Sequence, residues 1–259
     1  MSFFILEYWN DGIVETSAGL PCSYPVLRYS NTPSFRVNSM NTAKLISFDL
    51  DCTLIEPTFT TFVWEIGIPQ LYAKKNNISL SQATSIVKGE YDRVGEGAME
   101  WYDIAYWFRF FEFAERWQDL MEEHRHKVRP FPEVKEVMEE LSKSHDLIIV
   151  SNAAREFIEM EVKEAGIEAY FTRIFSVTSD FGQVKKTPEC YVEVLKAMEA
   201  TPTHTVHVGD HYEFDYLIPK QLGITSYFLD RDGNKSKDRH TIKDLTEFKN
   251  LVINRNPSL

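Results

Sequence analysis

Two carboxylates, Asp49 and Asp51, stand two residues apart in the phrase Asp49-Leu50-Asp51-Cys52-Thr53. On one turn such a pair can point into one site, where repulsion favours a divalent cation or a proton on one partner. A polar turn with Asp51 capping the next segment explains the same residues. In Ser151-Asn152, a hydroxyl and adjacent backbone N–H groups suit a phosphate oxygen. The pair equally suits a helix N-cap, because Glu156 and helically spaced residues follow. Lys185, in Lys185-Lys186-Thr187-Pro188-Glu189, would neutralise paired carboxylates and hold a phosphoryl oxygen. A solvated lysine ahead of a Pro-initiated helix is the plainer account. Finally, Gly209-Asp210-His211-Tyr212-Glu213-Phe214-Asp215 joins a residue that permits close backbone approach to two more carboxylates, Asp210 and Asp215, for the same cation. Singly, each phrase has an ordinary structural explanation. Together they supply a carboxylate cluster for a metal, a hydroxyl and a cation, which is what phosphoryl transfer requires.

Those phrases need a scaffold that brings them together. Leu45-Ile46-Ser47-Phe48 is a short apolar run that ends in the acidic phrase, as expected of a buried parallel strand. Three further runs follow the same pattern. Leu147–Val150 ends in Ser151-Asn152, Thr205–Val208 ends in Gly209-Asp210, and Ser226–Leu229 ends in Asp230. Helical spacing of apolar residues marks Glu133–Ser144, Ala154–Ala165 (stopped by Gly166) and Tyr191–Ala200. Strands alternating with helices of this size imply an α/β fold, a doubly wound Rossmann-like parallel sheet with strand ends converging on one crevice. Residues 56–129 differ. They are rich in aromatics, including Trp64, Trp101, Trp107 and Trp117, and read as helical, the composition of a small domain inserted into the sheet domain. Most of those rings are expected to fill its interior. The sheet domain then comprises residues 40–55 and 130–259, and residues 1–39 are an extension of different composition. His207 reads as a core residue, and His211 as a weak candidate for a substrate contact.

Composition narrows the partners. Among 259 residues, 28 Lys and Arg face 39 Asp and Glu, a formal net charge of −11. This field disfavours nucleic acids and anionic membranes, while a metal ion and local cations can still admit a small phosphorylated substrate. Three widely spaced cysteines, Cys22, Cys52 and Cys190, suit a reducing compartment better than a disulfide framework. With a start that makes a poor signal peptide, the expected location is cytoplasmic.

The order D-x-D-x-T, then Ser-Asn after a strand, then K-x-x-P, then G-D-x4-D resembles the haloacid dehalogenase-like hydrolase superfamily, from about Lys44 to the C-terminus. Gly182, Lys185, Pro188 and Tyr191 are similar to its G-x-x-K-x-x-P-x-x-F/Y stretch, and Gly166-Ile167 and Gly223-Ile224 fall where its members commonly carry Gly-Ile. The resemblance implies that Asp49 is a nucleophile forming an aspartyl-phosphate. It implies that Asp51 is the general acid and base, and that Thr53 orients the turn. Ser151, with N–H groups near Leu50, Asp51 and Asn152, would bind the phosphoryl group, and Lys185 would stabilise its charge. Asp49, the carbonyl of Asp51, Asp210 and Asp215 would hold Mg²⁺, and residues 56–129 would be a helical cap that excludes water. Cys52 departs from the glycine usual at its position. The acid at Asp51 favours phosphate ester chemistry over dehalogenation, because a halide leaves without protonation. The expected activity is a Mg²⁺-dependent phosphatase acting on a small phosphorylated metabolite. A phosphomutase, or a non-catalytic member that binds a phosphometabolite or a protein, are the alternatives.

Overall fold

The fold is seen in a computed structural model that describes residues 44–233 and 240–254. The expected extension, 1–39, lies outside them. β1 (Leu45–Phe48) is buried along its whole length. It pairs in parallel with β2 (Asp146–Ser151) on one side and with β4 (Thr205–Gly209) on the other. β3 (Phe171–Ser176) extends the sheet beyond β2, while β5 (Thr225–Leu229) and β6 (Thr241–Ile242) extend it beyond β4. All six strands are parallel, in the order β3-β2-β1-β4-β5-β6. The chain therefore winds one way from β1 to β3 and the other way from β4 to β6. A crevice opens where the direction reverses, beyond the ends of β1 and β4. The ladder continues one residue past β1, with Asp49 N donating to Val208 O at 3.0 Å. This fixes Asp49 at the mouth of that crevice.

The four expected strands are all present, and β3 and β6 are additional. Both additions are sheet edges. In β3, Thr172 and Arg173 are exposed, so it lacks the continuous apolar run of a strand covered on both faces.

Between β1 and β2 the chain is helical. α1 (Thr58–Thr61) passes through a π-helical stretch, Phe62–Gly67, into α2 (Ile68–Asn76). α3 (Leu80–Val94), α4 (Ile104–Phe110) and α5 (Trp117–His124) follow. α3 starts at a capping box, Ser79 with Gln82, in which each residue satisfies the other's backbone N–H. Trp107, Phe108 and Phe111 are buried, and the rings of Tyr91 and Trp107 meet edge-to-face at 4.6 Å. The aromatics therefore mostly fill this segment's interior, with Phe110 as an exposed exception. Two short stretches tie the segment to the sheet. Glu56 N donates to Arg129 O at 2.8 Å, and Phe131 N donates to Leu54 O at 3.0 Å.

The remaining helices cover the sheet: α6 (Val134–Leu141), α7 (Arg155–Glu164), α8 (Val177–Phe181), α9 (Pro188–Ala197), α10 (Ile218–Gln221) and α11 (Leu245–Asn254). Val134, Val137, Met138 and Leu141 of α6 give it one fully buried stripe. Pro188 opens α9 at a position where a missing N–H costs nothing, and Thr187 Oγ1 caps the helix by accepting from Cys190 N at 3.3 Å.

Candidate active site

Asp49 is 7% exposed, and both of its oxygens are engaged. Thr53 Oγ1 donates to Oδ2 at 3.2 Å, and Lys186 Nζ donates to Oδ1 at 2.5 Å. The same ammonium donates to Asp215 Oδ1 at 2.6 Å. Lys186, at 2% exposure, is thus a buried cation clasped by two buried carboxylates. Lys185, the lysine selected by the K-x-x-P spacing, stands elsewhere. Its Nζ pairs with Glu96, in the loop after α3, at 2.9 Å and lies over the Phe214 ring. The two consecutive lysines reach different partners, Lys186 the carboxylates of the site and Lys185 the helical segment.

Asp215 sits in a π-helical stretch, Tyr212–Leu217, after β4. Its carboxyl lies against Gly209, where a Cβ would collide with it, so glycine is required for this approach. Asp215 Oδ2 accepts from His211 N at 3.0 Å. Asp215 Oδ1 also meets His207 Nε2 at 3.1 Å, and His207 Nδ1 meets Ser47 Oγ at 2.9 Å. Tyr191 OH completes this layer, 3.0 Å from His207 Nε2 and donating to Phe214 O at 2.9 Å. His207 is therefore a satisfied core residue, as expected, and also the floor beneath the carboxylates. The sequence pattern gave no hint of the second role. His211 caps the π-helical stretch, its Nδ1 accepting from Phe214 N at 3.1 Å.

Asp49, Asp210 and Asp215 each offer an oxygen within 4.8 Å of the others, which makes a group able to hold a cation. Three carboxylate oxygens are hard donors of the kind Mg²⁺ takes. The Asp51 side chain is not part of that group. Its Oδ1 is buried without a hydrogen-bond partner, as is Asn152 Oδ1. Ser151 Oγ accepts from Ala153 N at 3.1 Å. Neither residue of the pair caps α7, which starts at Arg155 behind Ala154. The capping explanation of Ser151-Asn152 therefore fails, and Asn152 Oδ1 stays unpartnered.

Burial governs the charges here. It raises Asp49 to about 7, an effect that Lys186 opposes and Asp215 reinforces. It raises Asp51 to about 6 against the opposing pull of Lys186. Burial also acts to raise Asp215, but Lys186 and His207 outweigh it and hold that carboxyl well below the usual range. For Lys186 burial acts downward, and Asp215 with Asp49 overrides it, so the ammonium stays charged. His207 is pushed down, chiefly by burial, and is neutral.

One further acid belongs to this neighbourhood. Glu161, on the inner face of α7, is fully buried, with neither carboxyl oxygen hydrogen-bonded. Burial pushes its carboxyl well above the ordinary value, and the charges of Asp51 and Asp49 push it further. It is held as a neutral acid, whereas in the unfolded chain it ionises at an ordinary pKa. Its stability contribution is full below the unfolded value and is lost as pH rises toward the folded one. Glu161→Leu should therefore flatten the fall in stability between pH 5 and 8. It should also raise the melting temperature at neutral pH, by relief of about 1–3 kcal/mol, at roughly 2–4 °C per kcal/mol. Thermal melts in EDTA across that range test this. A variant that melts lower than wild type at neutral pH refutes it.

A sequence model of the haloacid dehalogenase-like hydrolases matches residues 43–223, and the chain belongs to that family. Haloacid dehalogenase-like hydrolase domain-containing protein 3 of Danio rerio is 35% identical over 106 residues, 39% of this chain and 43% of that protein. Pyrophosphatase PpaX of Oceanobacillus iheyensis is 32% identical over 134 residues, 50% of this chain and 62% of that protein. The chain thus spans about half the length of these relatives. A HAD phosphatase from Thermococcus onnurineus shares the fold, with a TM-score of 0.70 and 22% identity over 81% of this chain and 97% of that one. The chain has the Rossmann-like α/β fold of this family. No helix among the described residues is long and apolar enough to cross a membrane.

Proposed function

We propose that the protein is a Mg²⁺-dependent phosphatase that hydrolyses a small phosphorylated metabolite through an aspartyl-phosphate on Asp49. The observation that carries this is Asp51. The residue is half-buried, its Oδ1 is enclosed and unpartnered, and its carboxyl is raised to about 6, on the same turn as a carboxylate already clasped by a lysine. A general acid works best with a pKa near the operating pH, and a leaving alkoxide needs the proton such an acid supplies. PpaX is named a pyrophosphatase, and the structural neighbour a phosphatase, which accords with a small phosphorylated substrate.

Asp49 attacks phosphorus, and Thr53 and Lys186 hold its carboxylate in place. Asp51 gives its proton to the departing oxygen, then takes one from the water that attacks the aspartyl-phosphate. Lys186, in place of Lys185, offsets phosphoryl charge. Ser151 and Asn152 receive phosphoryl oxygens. Asp49, Asp210 and Asp215, with the Asp51 carbonyl, would hold Mg²⁺, which when bound supplies positive charge to the phosphoryl oxygens. Residues 40–55 and 130–259 act as the core domain, and residues 56–129 as a cap that closes over the crevice.

Phosphate release from phosphorylated sugars, glycolate, glycerol and nucleotides, with Mg²⁺ or with EDTA, tests this reading. At least one compound should be hydrolysed with Mg²⁺ and roughly 100-fold or more slowly with EDTA, since a catalytic cation contributes several kcal/mol. Hydrolysis indifferent to EDTA removes the metal from the reading. No release from any compound removes the phosphatase itself.

A further inference from the structure

The turn that carries Asp51 has an unusual backbone. Cys52 occupies the left-handed region at φ 57°, where a side chain is unfavourable by roughly 1–2 kcal/mol. The turn closes on itself, with Cys52 N donating to Ile55 O at 2.8 Å and Leu54 N to Leu50 O at 2.8 Å. Two of its carbonyls point outward and are met by a single side chain. Arg231 Nη2 donates to Thr53 O at 2.7 Å, and Nε donates to Cys52 O at 3.3 Å.

The rest of that guanidinium is equally committed. Its Nη1 donates to Glu133 Oε1 at 2.8 Å, and its Cζ lies over the Phe131 ring, 3.5 Å from the centroid. Glu133 is itself anchored, because Oε1 accepts from Leu245 N at the start of α11 at 3.4 Å. Arg231 follows β5 on a short turn in which Asp230 Oδ1 accepts from Gly233 N at 3.0 Å. Phe131 and Glu133 belong to the stretch that returns the chain from the helical segment to the sheet, and Phe131 N is bonded to Leu54 O. One side chain therefore ties the Asp51 turn to the connection between helical segment and sheet. Arginine suits this because its planar fork offers several donors in fixed directions and stacks on a ring, whereas lysine offers a single point charge.

We infer that Arg231 is a positioning residue: it holds the turn of Cys52 and Thr53 so that Asp51 meets the leaving oxygen. The inference rests on the general-acid reading of Asp51. An alkyl phosphate needs the acid, and p-nitrophenyl phosphate, with its good leaving group, hardly does. Arg231→Lys and Arg231→Gln should lower kcat/KM for the best alkyl phosphate about 10- to 100-fold, the scale of a displaced general acid. The same variants should lower kcat/KM for p-nitrophenyl phosphate less than about threefold, by the same argument. Equal losses on both esters overturn the inference, since a merely structural role would cause them. Asp51→Asn, run alongside, separates the two ideas. If it shows no preference for leaving group, the acid reading fails, and amide exchange decides the clamp alone. In Arg231→Gln the amides of Cys52, Leu54 and Ile55 should exchange about tenfold faster or more than in wild type, with α7 unchanged. Unchanged exchange there overturns the clamp whatever the chemistry of Asp51.

Discussion

Asp49→Asn should abolish turnover, lowering kcat/KM by about 10⁴-fold or more, the scale of losing a covalent nucleophile. The amide is nearly isosteric, and its oxygen can still accept from Lys186 Nζ or Thr53 Oγ1, the two partners of the native carboxylate. Geometry is kept while the attacking charge is removed. No phosphoryl adduct should appear by mass spectrometry on the peptide carrying position 49 after acid quench, whereas wild type should show one during turnover. Asp49→Ala, which cannot revert by deamidation, should be equally inactive. The apo fold should survive the loss of charge, because burial already disfavours ionisation of Asp49 and raises it to about 7. An Asn variant with more than a tenth of wild-type activity would remove Asp49 as the nucleophile.

The sheet's interior was legible in the sequence because strands covered on both faces read as mainly apolar runs, interrupted only by small or hydrogen-bonded polar residues such as Ser47 in β1 and His207 in β4. The edges were not. β3 interrupts its apolar residues with Thr172 and Arg173, and β6 has only two residues. The acidic phrases were visible for a related reason: each follows a strand that ends at the reversal point, so sequence order already implied spatial convergence. What stayed hidden depends on side-chain direction across elements. Glu161 looks like any charge in an amphipathic helix until α7 turns it inward. His207 is an unremarkable strand residue until Ser47, Tyr191 and Asp215 surround it. Arg231 meets Thr53 across 178 positions of sequence, a contact no local pattern encodes.

The lysine pair brings both kinds of information into conflict, and it gives the other large expected effect. Counting back from Pro188 selects Lys185, while the folded chain buries Lys186 between Asp49 and Asp215. Lys186→Met should lower kcat/KM by roughly 10³-fold, as expected when a charge-stabilising donor is removed from a dry site. It should also destabilise the metal-free fold by about 3–5 kcal/mol, because two buried carboxylates lose their shared cation. Lys185→Met should behave differently. Its partner is Glu96, the pair is partly solvated at 29% and 43% exposure, and such pairs contribute at most about 1 kcal/mol. Its stability should hardly move. Any loss of activity should stay below about tenfold, because Glu96 lies in the helical segment and the pair bears only on how that segment meets the sheet. Phosphate-release kinetics and melting curves on the two variants decide between them. If Lys185→Met is the inactive variant and Lys186→Met the tolerant one, the K-x-x-P spacing outranks the geometry, and the clasp of Asp49 and Asp215 around Lys186 is not the working arrangement.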